Sequence, residues 1–92
     1  MLDRPRLAEK AQIHPVDDGY MIYDPDQDRV HYLNVTAALV ALSCDGAITA
    51  AEIACRIQQQ YDLKAPPIDA VADILARLRD EGLLESASQF AN

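Results

Sequence analysis

Residues 33–46 read LNVTAALVALSCDG, and the fold turns on how that stretch is read. The pattern predicts one short helix with marked ends. Asn34 is its N-cap, with a side-chain oxygen able to take an otherwise unpaired amide of the first turn. Gly46 is its expected stop, because glycine enters the left-handed conformation without steric penalty. Val35, Ala38, Leu39 and Leu42 fall on one face at helical spacing, and Ala37, Val40, Ala41 and Cys44 fall on the other. A helix that is apolar nearly all round is buried on most sides. It is therefore expected to be the hub of a small core, with the neighbouring segments packed against it.

Toward the N-terminus, the hub is preceded by a strand over residues 29–33, ending VHYL. Before that, Asp24-Pro25-Asp26-Gln27-Asp28 reads as a turn, with Pro25 presetting its backbone. Tyr20, Met21, Ile22 and Tyr23 form a second strand, and Ile13 and Val16 flank a first. Asp17-Asp18-Gly19 between them is a hairpin turn signal. The result is an antiparallel meander whose third strand is an edge. Residues 1–10 mix charge with Pro5 and are expected to form a flexible arm.

Toward the C-terminus, Thr49-Ala50-Ala51-Glu52 is a capping box. Ile53, Ala54, Ile57 and Tyr61 recur as the buried stripe of a second helix. Residues 62–67 connect, and Pro66 and Pro67 delay any further helix. A third helix runs from about Ile68 to Glu81, with Ile68, Val71, Leu75 and Leu78 as core stripe and Gly82 as stop. Ile74 lies off that stripe, beside Ala70 and Arg77, which suggests a second contact surface. Leu83 and Leu84 fold back on the core, and residues 86–92 read as a tail. The fold class is α+β, three antiparallel strands followed by three helices, with the folded domain over residues 11–85.

Composition narrows function. Ninety-two residues make one domain. The formal net charge of −7 opposes a polyanionic partner, since nucleic-acid affinity rests on lysine and arginine neutralising phosphates. No apolar run approaches the ~20 residues a membrane helix needs, and no basic-then-apolar signal opens the chain. A cytoplasmic location is expected. Cys44 and Cys55 show no CxxC or zinc-type spacing, which indicates free thiols. Cys55 points away from the apolar stripe of its helix and could trap a dimer.

Catalytic patterns are missing. His14 and His31 sit singly in strands. There is no nucleophile elbow, phosphate loop or HExxH helix. Asp24, Asp26 and Asp28 are spaced like the start of a calcium loop, but the sixth-position glycine and twelfth-position glutamate are wanting, so a solvated acidic turn is expected. The reading is a non-enzyme with no metal or cofactor.

Two binding classes remain. A winged-helix DNA-binding regulator suits three helices and a small sheet. Its recognition helix should be basic, yet helix two offers only Arg56 with Gln58, Gln59 and Gln60, and helix three sets Arg77 and Arg79 against Asp69, Asp73, Asp80 and Glu81. The second class is a peptide-binding module, in which the open edge at residues 30–33 accepts an extended chain and the flank of helix three supplies pockets.

The string Leu33-Asn34-x-Thr36-Ala37, then Cys44-Asp45-Gly46, then Thr49-x-x-Glu52-Ile53-Ala54, with Tyr61 and the closing Gly82-Leu83-Leu84, resembles the PqqD-like proteins over residues 19–85. That family is the type case of the RiPP recognition element, the domain that binds leader peptides of ribosomally made, post-translationally modified peptides. The resemblance implies a winged-helix-like fold and a leader peptide added as a strand beside the third strand, against the third helix. It implies a peptide chaperone that presents its precursor to a modifying enzyme, often a radical SAM protein, in RiPP or quinone-cofactor biosynthesis. Carried onto this chain, the peptide-binding positions are Val30, His31, Tyr32 and Leu33 on the strand and Ala70, Ile74, Arg77 and Leu78 on the helix. The acidic turn and acidic third helix favour a leader with basic residues. An uncovered edge could also pair with its own copy to give a homodimer.

Overall fold

The computed structural model describes residues 4–85. The expected tail at 86–92 and the first three residues of the expected arm lie outside that range. Three strands, β1 (Gln12–Val16), β2 (Gly19–Asp24) and β3 (Arg29–Leu33), precede three helices, α1 (Val35–Leu42), α2 (Ala50–Tyr61) and α3 (Ile68–Asp80). The sheet is antiparallel in the order β1-β2-β3.

The ladder register follows from the turns. Val16 pairs with Gly19, which leaves the two-residue loop Asp17-Asp18. In such a hairpin the flanking pair is hydrogen-bonded and bonding alternates from there. Val16, His14 and Gln12 therefore bond toward β2, and Ile13 and Pro15 turn their main-chain groups outward. By the same alternation, β2 reaches β3 through Tyr20, Ile22 and Asp24, opposite Leu33, His31 and Arg29. Gly19 is needed here for space. It lies so close to β3 that a Cβ would collide with the Leu33 carbonyl oxygen.

The second turn is more than a solvated acidic loop. Asp24 is fully buried. Its carboxylate accepts from the amides of Asp26 at 3.0 Å and Gln27 at 3.4 Å and from Gln27 Nε2 at 3.0 Å, and pairs with Lys10 Nζ at 3.3 Å. Burial pushes its pKa up, but the Lys10 ammonium and the donated amides outweigh that and hold it below the usual carboxylate range. Asp28 closes the turn at φ 52° and accepts from the Tyr23 hydroxyl at 3.0 Å.

Helix α1 is the hub, though shorter and less enclosed than its sequence suggests. Asn34 caps it, its side chain accepting from the Ala37 amide at 2.8 Å. The helix ends at Leu42 with Ser43 as cap. Beyond it the N-terminal segment recruits the backbone. Leu7 N–H donates to the Cys44 carbonyl at 2.8 Å, and Gly46 N–H donates to that of Pro5 at 3.0 Å. Arg6 bridges Asp45, and Leu7 bridges Leu84. Residues 5–8 are thus stitched to the body of the domain instead of forming a flexible arm. One side of α1 feeds two cores. Ala37, Ala38 and Ala41 meet Ile22, Leu33, Leu78 and Leu83 in the first, and Val40 and Cys44 meet Ile53, Ala54, Ile57 and Val71 in the second. Its other side is open, with Val35 and Leu42 about half exposed.

The capping box of α2 forms, with Thr49 N–H donating to Glu52 Oε1 at 2.9 Å and Glu52 N–H to Thr49 Oγ1 at 3.2 Å. The helix ends through Asp62 in the left-handed conformation, and Tyr61 is exposed instead of joining the buried stripe. In α3, Val71 and Leu78 are buried while Ile68 is exposed. Gly82, at φ 75°, closes α3 in a Schellman motif. Its amide reaches Arg79 at 3.0 Å, the Leu83 amide reaches Leu78 at 2.9 Å, and both leucines share the first core.

Candidate functional site

The outer edge of β3 carries unpaired main-chain groups. Since His31 and Leu33 bond inward to β2, Val30 and Tyr32 direct theirs outward. No other described strand pairs with that edge, and the N-terminal segment, which could have covered it, pairs instead with the chain near Asp45 and Leu84. The side chains of Val30 and Tyr32 are also exposed, 43% and 68% accessible.

Helix α3 forms the second wall. Three long-range side-chain contacts tie it to β3. Arg77 donates to the Tyr32 carbonyl at 3.3 Å. Glu81 lies 3.5 Å from His31 Nδ1 and 3.7 Å from Arg29. The pairing of later helix residues with earlier strand residues means that α3 runs antiparallel to β3. Yet no Cα of α3 comes within 8 Å of one in β3. The two backbones therefore stand farther apart than neighbouring strands, and a strand added to the edge would sit ~4.8 Å out from β3.

The sequence-derived positions divide on this geometry. Val30 and Tyr32 offer edge groups. On the helix, Ile74 is half-buried and touches both cores, Ala70 and Arg77 are exposed, and Arg77 is the one of the three that contacts β3. Leu33 and Leu78, by contrast, are core residues, 4% and 1% accessible, and their side chains are not available to a guest. His31 is also buried, against Glu81, and its Nε2 has no partner among the described residues. The stripe assignment for Leu78 and the strand period at 31 and 33 already carried that information. Glu81, which pairs with Arg29 and His31 of β3, was missed because nothing local marks a helix-end glutamate as a partner for β3.

Chemistry of other kinds finds little support. Among the described residues, no group of three or more His, Cys, Asp or Glu side chains could hold a metal. The thiol of Cys44 is buried and donates to the Val40 carbonyl at 3.1 Å, and burial with the neighbouring Asp45 charge pushes its pKa up to about 12. That is a structural thiol, the reverse of an activated nucleophile. A depression between α1 and α2, lined by Leu39, Ser43, Arg56, Ile57 and Gln60, has a volume of about 210 Å³. Small-molecule sites usually start near ~300 Å³. No described helix is long and apolar enough to cross a membrane.

The family model described as coenzyme PQQ synthesis protein D (PqqD) matches residues 19–84. No curated protein matches the chain. Among solved structures, the PqqD truncation of Methylobacterium extorquens PqqCD is 30% identical, with a TM-score of 0.68 and coverage of 89% of this chain and 88% of that one. That solution NMR structure is described as a functional and stand-alone RiPP recognition element. Lasso peptide synthetase B1 complexed with the leader peptide superposes with a TM-score of 0.72 at 19% identity, covering 90% of this chain and 99% of that one. The second likeness is one of fold, and both share the strand-then-helix order seen here.

Proposed function

This chain belongs to the PqqD family, and we propose that it binds the leader segment of a precursor peptide as a fourth strand on β3 and presents it to a peptide-modifying enzyme. One observation carries this reading. The outward groups of Val30 and Tyr32 stand unpaired by any described strand, on the edge that Arg77 of α3 reaches. Strand addition supplies main-chain hydrogen bonds for affinity, and pockets for alternate side chains supply selectivity. A receptor whose edge and wall are already in place spends little on rearrangement.

The domain itself contributes recognition and no bond-making step. Chemistry belongs to the partner, for which a radical SAM enzyme is our candidate, in RiPP or quinone-cofactor biosynthesis. The working site is the Val30 and Tyr32 edge with Ala70, Ile74 and Arg77. A cytoplasmic setting suits two cysteines that are both free. Pairing of the β3 edge with a second copy would compete with the guest.

The test is a titration of the 15N-labelled chain with a synthetic peptide covering the leader of a precursor encoded beside it. Amide shifts should concentrate at Val30, Tyr32, Ile74 and Arg77. Saturating shifts confined to α2, or produced only by duplex DNA, would replace this reading with the regulator.

A further inference from the structure

Among the described residues, Arg77 makes no ion pair, although it reaches the β3 edge. The guanidinium of Arg77 rests on the Tyr32 carbonyl at 3.3 Å, and among the described residues no carboxylate lies within ion-pair distance of it. Its neighbours differ. Arg29 pairs with Glu81 at 3.7 Å and Arg79 with Asp80 at 3.6 Å. The Tyr32 carbonyl is also one of the few acceptors on the free edge, so an incoming strand needs it for one of its own amides. Arg77 already donates to that oxygen, through one 3.3 Å contact at the long end of hydrogen-bond distances, so an incoming amide would share or compete for it.

The period of the sheet fixes what an incoming strand shows to α3. Residues directly opposite each other on paired strands project from the same face. His31 and Leu33 face the interior and Val30 and Tyr32 face out. Guest residues opposite His31 and Leu33 therefore turn toward α3, two positions apart. Because α3 runs antiparallel to β3, the guest residue opposite Leu33 meets the Ala70 and Ile74 side of the helix. The one opposite His31 meets Arg77, with Glu81 beyond it already engaged by His31 and Arg29.

Resting on the strand-capture reading above, we infer that Arg77 is a displaceable latch and a specificity residue: the preferred guest is an extended peptide carrying Asp or Glu two positions from an aliphatic residue. The guest amide competes for the Tyr32 carbonyl, and the single 3.3 Å contact there is weak enough for the guanidinium to turn to a guest carboxylate. A carboxylate then accepts two parallel N–H bonds from it, while the aliphatic residue covers Ile74. The chain as a whole, at −7, favours a basic partner, so the acidic preference is confined to this one register position.

The experiment is selection of a random dodecapeptide display library on the full chain, on Arg77→Gln and on Arg77→Glu. The wild type should enrich Asp or Glu at spacing two from Leu, Ile or Val. Arg77→Glu should keep the aliphatic residue and exchange the acid for Lys or Arg. Arg77→Gln should lose the charge preference. A selected acidic peptide should bind Arg77→Glu about fivefold to tenfold more weakly. Identical charge preferences for wild type and Arg77→Glu, with bound peptides still shifting the Val30 and Tyr32 amides, would overturn the latch and leave strand capture standing. Recovery of no peptide by the wild type, when circular dichroism shows it folded, would overturn both.

Discussion

Among the described residues the sheet has two edges without a strand partner, and they are built to opposite ends. On β1 the outward positions are Ile13 and Pro15, and proline has no amide to give. A second chain approaching β1 finds a row broken at its middle, a common way of blunting an edge against unwanted pairing. On β3 the outward positions are Val30 and Tyr32, both with amides intact, and α3 stands beside them with Arg77 across one carbonyl. The contrast teaches how one residue changes an edge: the row on β1 is interrupted by a proline, and the row on β3 keeps its amides.

The largest effect is expected from removing what lies beneath the open side. Leu78→Ala empties a fully buried position against Ile22 and Leu33 and should cost ~2–5 kcal/mol of unfolding free energy in a denaturant melt. Tyr32→Pro transfers the blunting device of β1 to β3. It should lower affinity for a selected peptide by at least ~tenfold with circular dichroism unchanged, because the lost amide faces outward and not toward β2. An unchanged affinity would mean the guest does not pair there.

Acid should act on the turn entering β3 through Asp24. The folded pKa of Asp24 is lowered from 3.8, so its contribution is present above that value and fades as pH falls below it. Asp24→Asn should therefore be less stable than wild type near neutrality, with the gap closing below about pH 4 in pH-dependent melts. The smallest change is expected from Pro15→Thr, within ~0.5 kcal/mol in stability. It should raise self-association in sedimentation without adding peptide affinity, because no helix walls that edge.

Strand and helix positions were legible because the turn and cap residues are local: Asp17-Asp18-Gly19, Asn34, the Thr49 and Glu52 pair, and Gly82 each act within a few residues. The site was legible only in part. Period two identifies which of residues 30–33 face out, but not which main-chain groups are spoken for, since that depends on the length of a distant hairpin loop. The buried state of Asp24 was hidden because its partner Lys10 lies on a segment with no periodic signal. Tyr61 and Ile68 have the right spacing for a buried stripe but lie at helix ends and stay about half exposed.

The stitched N-terminal segment has a consequence for engineering. Glu85 N–H donates to the Arg6 carbonyl at 2.8 Å, and the two side chains pair at 3.7 Å, so residues far apart in the chain leave the domain side by side. A loop of a few residues could join them and a new opening be cut at the Asp17-Asp18 turn. The same adjacency would let the whole unit be spliced into a surface loop of a host enzyme, with little separation to bridge and the β3 edge carried along intact.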